Sequence, residues 1–438
     1  MKNIVLEFNH QLHTTLAVDQ INQQLNETWQ GRIVNFSENK RALHIHQRNI
    51  GDLAIGEETI HHFFNTQDEF LRNSLNDLEQ RGCQNVICVG FGGSSLGLKL
   101  LDDVLGYHQS SEKKLYFIDH LDTHLIDQIL DGCDFENTVV VYISKSGVTK
   151  EVVWLRDYIR QSSFCNEKVI TANQSLLSDW GCRAEDIIYL HPEVNGRFSI
   201  WSPILFPVAF KYGESIIETL RSGGRHVDQI MMTTPLMETI PGQLAALSIQ
   251  EQANQNSNIH CFLNYDQRLN VFGHYLQQLE MESLGKPYDR HGRRLSQFPG
   301  QFILTEFGSQ AQHSIMQYIH QHHQPISMTF LMTQSQQPGF QELERHVKAQ
   351  INTLEQGYPV EAIQRHQPHL SDKACLYRAI PGEKPTRVIK LLNDDIETLG
   401  ALIALYEYKV MIEAFHWGIN PFDQFAVERP KQLLERLV

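Results

Sequence analysis

Cysteine is scarce in this chain, and none of it falls in a pattern that would staple or ligate. Seven occur in 438 residues (Cys83, Cys88, Cys133, Cys165, Cys182, Cys261 and Cys375), scattered and never spaced as CxxC. That excludes a disulfide framework or a zinc ribbon and fits free thiols in a reducing compartment. A basic excess is also missing: 37 Lys and Arg stand against 51 Asp and Glu, a formal net charge of -14. Nucleic acid and anionic membranes reward the opposite sign, so neither is expected as a partner. No apolar run could span a bilayer; the longest, near Leu399 to Tyr406, is interrupted by Glu407 and Lys409. The N-terminus, MKNIVLEFNHQLHTTL, lacks the basic start, apolar centre and small-residue cleavage site of a secretory signal, so a cytoplasmic location is expected.

What is present is a 41% hydrophobic chain, long enough for two domains. Residues 1–80 are mixed and polar, with a helix expected over Ile60 to Leu78, and read as an N-terminal wrapping segment. From Val86 the pattern changes to short β-branched runs separated by helical stretches: Val86–Val89, Leu115–Ile118, Val139–Ile143 and Ile187–Leu190. A small-residue break at Ser222–Gly224 opens a second series, with strands expected at Ile259–Leu263, Phe302–Leu304, Ser327–Met332 and Arg387–Leu391. Strands alternating with helices mean parallel sheets with crossover connections. The expected architecture is α/β: a helical N-terminal segment over 1–80, a first domain over 81–222, a second over 223–395, and a C-terminal helical segment over 396–438. Ile396 to Trp417 has apolar residues on most faces, as a buried helix would.

GFGGSSLG, residues 90–97, follows the first of these runs. A glycine turn between strand and helix aims backbone N–H groups and the positive helix end at an anion. A dinucleotide fingerprint needs G-x-G-x-x-G, and here Ser95 occupies the third glycine position, although Asp119 sits roughly where a ribose-binding acid would. A dinucleotide, a phosphate monoester and a purely structural turn all stay open on this stretch. The run Val139–Ile143 ends in Ser144-Lys145-Ser146-Gly147-Val148-Thr149, where hydroxyls and an ammonium could donate to phosphate, or Ser146 or Thr149 could simply cap a helix. Two such turns in one sheet favour the ligand reading, because ligands of open α/β sheets bind beyond the strands' carboxyl ends.

Four further residues could carry chemistry. Arg197, in Asn195-Gly196-Arg197-Phe198-Ser199, could clamp an anion or a developing oxyanion, or cap a helix. Glu282 lies just beyond a helix with Leu269, Phe272, Leu276 and Leu279 on one face, where a dry pocket would make it a useful general base and open surface would make it ordinary charge. His313 could shuttle protons or be structural. Lys431 follows Pro430, which is tolerated only near a helix start, so it is expected to open the terminal helix. The run Ile319-His320-Gln321-His322-His323 invites a metal reading, but no acidic partner is spaced to complete a site.

Together these strings closely resemble the glucose-6-phosphate isomerase family. The likeness begins at Glu38–His44, strengthens through VGFGGSSLG, YISKSGVT, NGRFSIWS and QQLEMESLGK, and continues through GSQAQHSIMQYIHQ and LGALIALYEYKVMIEAFHWGINPFDQF. It implies two tandem sugar-isomerase αβα sandwich domains and the interconversion of glucose 6-phosphate and fructose 6-phosphate through a cis-enediolate, without metal or dissociable cofactor. Glu282 matches the family's base and Arg197 the guanidinium that stabilises the enediolate. His313 matches the ring-opening residue, donated across a homodimer, and Lys431 its helper. Gln424 matches a substrate-positioning amide, and Gly93, Ser94, Ser144, Lys145, Ser146 and Thr149 match the phosphate cradle. Three positions depart from the family's pattern: Val152 replaces a common threonine, Arg429-Pro430 a Leu-Gly pair, and Ser309-Gln310 the usual residues ahead of the histidine. A sugar-phosphate-binding regulator on the same fold is the alternative, and a nucleotide-dependent oxidoreductase a further competitor.

Overall fold

A computed structural model describes residues 3–9, 11–48, 59–162, 164, 166–255, 257–336 and 339–434. In chain order its strands are β1 (Ile4–Phe8), β2 (Val34–Asn35), β3 (Lys40–Arg41), β4 (Asn85–Val89), β5 (Lys114–Ile118), β6 (Thr138–Ile143), β7 (Glu167–Thr171), β8 (Ile187–Tyr189), β9 (Ile259–Asn264), β10 (Phe302–Phe307), β11 (Ser327–Thr333) and β12 (Thr386–Leu391). Every expected strand is present. β6, TVVVYI, is buried at all six positions, as a parallel strand covered by helices on both faces must be.

The described residues divide into two compact units: one of Met1–Ile21, Ile230–Thr398 and Leu405–Pro421, the other of Asn22–Gln229, Leu399–Ala404 and Phe422–Val438. The second holds an all-parallel sheet ordered β5-β4-β6-β7-β8. One face of that sheet packs Ile87, Val89, Val140, Tyr142 and Val169 against helix residues Val152, Leu155 and Ile159. The first unit holds a sheet ordered β1-β12-β11-β9-β10, in which β9 to β12 run parallel and β1 adds an antiparallel edge. The orders β5-β4-β6-β7 and β10-β9-β11-β12 are the same topology used twice.

Two sequence expectations need correction, and one strand escaped the reading. Ser222–Gly224 is no break: it lies inside the helix Ser215–Thr233. The small residue there serves packing, since a Cβ on Gly224 would come within 2.5 Å of Arg48 Cδ and 3.0 Å of the Trp201 ring. β1 lies in a segment expected to be helical; its backbone pairs with β12, from Ile4 opposite Leu391 to Phe8 opposite Arg387. β7, EKVIT, was hidden by its charges: Lys168 is 1% exposed in side chain yet lies 2.8 Å from Asp77 Oδ2 and 3.2 Å from Asp186 Oδ1, which makes its burial tolerable.

The helix Ile396–Trp417 forms as expected. Asp395 Oδ1 accepts the Thr398 N–H at 2.7 Å to cap its start, and Gly418, at φ 70°, takes the left-handed turn that ends it.

Candidate active site

Strand order in the parallel sheet reverses between β4 and β6, and open α/β sheets gather ligands at such a reversal. Both phosphate-binding candidates leave from it. Val89, which ends β4, pairs with Tyr142 near the end of β6, so the glycine turn and the serine–lysine turn emerge side by side.

Gly92, at φ 56°, starts a single 3-10 turn over Gly92–Ser94 that leads into the helix Leu96–His108. Gly93 is required by contact: a Cβ there would stand 2.1 Å from the carbonyl oxygen of Gly196 and 3.0 Å from the Arg197 nitrogen. Ser199 Oγ reinforces the approach, donating to Gly196 O at 2.6 Å and lying 3.3 Å from Gly93 O. The half-buried Ser94 therefore stands one residue from the turn that carries Arg197.

In the second turn Ser144 is buried and its hydroxyl is 2.9 Å from Thr149 Oγ1, while it accepts the Gly147 N–H at 3.1 Å. Thr149 does occupy the N-cap position of the helix Lys150–Ile159, but its hydroxyl makes no capping bond to that helix. That hydroxyl therefore belongs to the serine–threonine turn rather than to the helix start. Ser146 is exposed and accepts from the Val148 N–H at 3.3 Å, and Lys145 pairs with Glu38. Val152, where the family commonly has threonine, is 1% exposed and packs in the sheet's core, so it contributes apolar packing. Asp119 is engaged by Ser95 Oγ at 3.0 Å and Lys99 Nζ at 2.5 Å, which leaves the dinucleotide reading without its free ribose-binding carboxylate.

Arg197 is 2% exposed, so it is neither solvated nor a surface cap. Its Nη1 donates to Gln424 Oε1 at 3.0 Å and its Nη2 to the Asp423 carbonyl at 3.1 Å, which brings two of the expected residues together. Asp423 fixes that end of the chain: its Oδ1 accepts the N–H groups of Phe36 at 2.6 Å and Ser37 at 3.0 Å. Beneath lies His44, 1% exposed, its ring 4.6 Å from Phe198 and 5.5 Å from Phe422. Burial, helped by Arg48, holds its pKa well below the ordinary histidine value, so it packs as a neutral ring. Sequence reasoning passed over Asp423, Ser199 and His44. A usable signal was the spacing of Asp423, directly before Gln424 in a short polar break between aromatic residues.

In the other unit, Glu282 follows the helix Asn270–Leu276, whose Phe272 and Leu276 are buried with Leu269 and Leu279 as the apolar face required. The helix does not stop before Glu282: it widens into a π-helical turn over Gln277–Met281 and resumes over Glu282–Leu284, leaving Glu282 half-buried. Lys286 Nζ donates to the carbonyls of Glu282 at 3.0 Å and Ser283 at 2.5 Å, closing the helix end. His313 lies in the turn between Gly308–Ala311 and Met316–Gln321 and is exposed in the single chain. Of the neighbouring histidines, His320 Nε2 lies 3.0 Å from Gln350 Oε1 and His322 Nδ1 accepts the Gln324 N–H at 3.2 Å. Lys431 does not open its helix, which begins at Glu428 with Pro430 inside its first turn; the Lys431 side chain lies outside the described residues, as does Cys165.

Two sheets whose parallel strands repeat one order, with the glycine turn and the serine–lysine turn at the reversal of one of them, give the α/β architecture of the sugar-isomerase class. A family model described as phosphoglucose isomerase matches residues 2–438. The glucose-6-phosphate isomerase of Alteromonas mediterranea is 29% identical over 433 residues, covering 92% of this chain and 79% of its own length. That of Bordetella petrii is 30% identical over 389 residues, covering 84% and 74%. A crystal structure of a glucose-6-phosphate isomerase from Chlamydia trachomatis shares the fold with a TM-score of 0.88 at 24% identity, over 100% of this chain and 88% of that one. The chain belongs to the phosphoglucose isomerase family. It is an aldose–ketose isomerase with the activity typical of that family, reversible isomerisation of glucose 6-phosphate and fructose 6-phosphate.

Proposed function

We propose that Glu282 is the base that carries a proton between carbons 2 and 1 of the opened sugar, and that Arg197 stabilises the cis-enediolate. A guanidinium acts best where charge appears only in the transition state, since that interaction lowers the barrier without over-stabilising substrate. Gly93, Ser94, Ser144, Lys145, Ser146 and Thr149 receive the phosphate, and Gln424 positions the sugar. His313 opens the ring with help from Lys431, and reaches the site from the partner in a homodimer. The parallel strands β4 to β8 and β9 to β12 form the centres of the two sugar-isomerase domains, in a cytoplasmic enzyme.

The observation that carries this reading is the buried Arg197, gripped by Gln424 and Asp423 on a turn that closes directly on Gly93. A buried guanidinium on a turn that closes on the glycine turn is a fixed positive site in a chain whose net charge is -14. The test is fructose 6-phosphate formation from glucose 6-phosphate with no cofactor added. Glu282→Gln is expected to lower turnover by about 100-fold or more with KM little changed. Normal turnover in that variant would remove Glu282 from the mechanism.

A further inference from the structure

The segment leading to Glu282 is irregular for a reason that lies outside the site. A π turn has poorer hydrogen bonding than an α turn and persists where its surroundings impose it. Two contacts hold this one. Gln277 Nε2 donates to the Ile303 carbonyl of β10 at 2.9 Å, which ties the start of the turn to the sheet. Glu280, 4% exposed, accepts from Lys409 Nζ at 2.6 Å. Lys409 is itself 3% exposed, and its ammonium lies 2.7 Å from Oε1 of the buried Glu413, one turn along the helix Ile396–Trp417. An ammonium lodged between two buried carboxylates is costly to assemble and directional once formed.

Residues two apart on a helix project to different sides, so Glu280 can be anchored inward while Glu282 faces elsewhere. Their exposures differ accordingly, Glu280 being buried and Glu282 half-buried. We propose that the Lys409–Glu280 ion pair holds the π turn in place and thereby sets the aim of the Glu282 carboxylate, making Glu280 and Lys409 positioning residues for the proton transfer. The inference rests on Glu282 being the base.

The informative variant is Glu280→Met, which removes the tether but leaves Lys409 beside Glu413, so that no lone charge is buried. With glucose 6-phosphate deuterated at carbon 2, kcat is expected to fall about 10- to 100-fold, as a displaced catalytic group requires. KM stays within about twofold, and the deuterium effect on kcat grows because proton transfer becomes the slow step. Glu280→Gln, which keeps an oxygen for the ammonium, recovers most of the rate. Unchanged kcat and isotope effect in Glu280→Met would overturn the proposal. So would a lower kcat with an unaltered isotope effect and a lower Tm, which marks loss of folded protein only. Glu282→Gln run in parallel separates the two readings: turnover retained there defeats the base assignment. An inactive Glu282→Gln with an unaffected Glu280→Met defeats the tether alone.

Discussion

Gly93 shows how one hydrogen atom can decide a site. Replacing it with alanine would place a methyl 2.1 Å from the Gly196 carbonyl oxygen, far inside van der Waals contact and against backbone that cannot swing aside. The two turns must then part, moving Ser94 away from Arg197. Gly93→Ala is expected to lose about 1–3 kcal/mol of stability, the usual cost of overpacking, measured by denaturant unfolding. Its KM for the sugar phosphate should rise at the same time. Gly196, its partner, meets nothing within 4 Å on its own Cβ side, so Gly196→Ala should be far milder. The residue types at Gly93, Ser144 and Thr149 could be read as anion-binding from their order alone. Their bonding could not, because Thr149 occupies a cap position yet turns its hydroxyl to Ser144.

At the scale of the element, the helix Ile396–Trp417 is the most instructive. Its apolar faces made it legible as a buried helix, and Glu407 and Lys409 served only to rule out a membrane span. Both are buried, as is Glu413. Burial, with the negative charge of Glu280, raises the Glu413 pKa from 4.5 to about 7, against the opposing pull of Lys409 and Arg387. A carboxyl whose folded pKa is raised binds its proton more tightly when folded, so its contribution is fully present below pH 4.5 and is lost as pH climbs through about 7. The buried His44 and His260, both held well below 6.5, act the other way and lose stability as pH falls below 6.5. Glu413→Gln is therefore expected to flatten the decline in Tm between pH 4.5 and about 7 while leaving the loss contributed by the histidines in place; thermal melts of both proteins across that range check it. An unaltered decline would show that Glu413 titrates as an ordinary carboxyl.

At the scale of the whole molecule, the exposed His313 is the residue a single chain leaves unexplained. If it serves the partner's site, an inactive Glu282→Gln chain and an inactive His313→Ala chain should rescue each other when mixed and reassembled. Each mixed dimer then holds one site with both substitutions and one with neither. Random reassortment makes half the dimers mixed, so about a quarter of the parental activity should return. No recovery beyond the unmixed variants would place His313 and Glu282 in the same subunit's site.

Much of this protein could be read before any coordinates. Periodicity gave the strands, because a parallel strand covered on both faces must be apolar throughout, and the order of the motif strings gave the family. What resisted reading was long-range: β1 pairing with β12, β7 carrying a buried Lys168, Gly224 serving Arg48 and Trp201, and Asp423 gripping both Arg197 and the backbone at Phe36. Local sequence reports local preference and burial, whereas a buried charge is tolerable only through a partner, and that partner can lie more than a hundred residues away. Lys409 and Glu280 are such a pair, and only the folded chain brings them together.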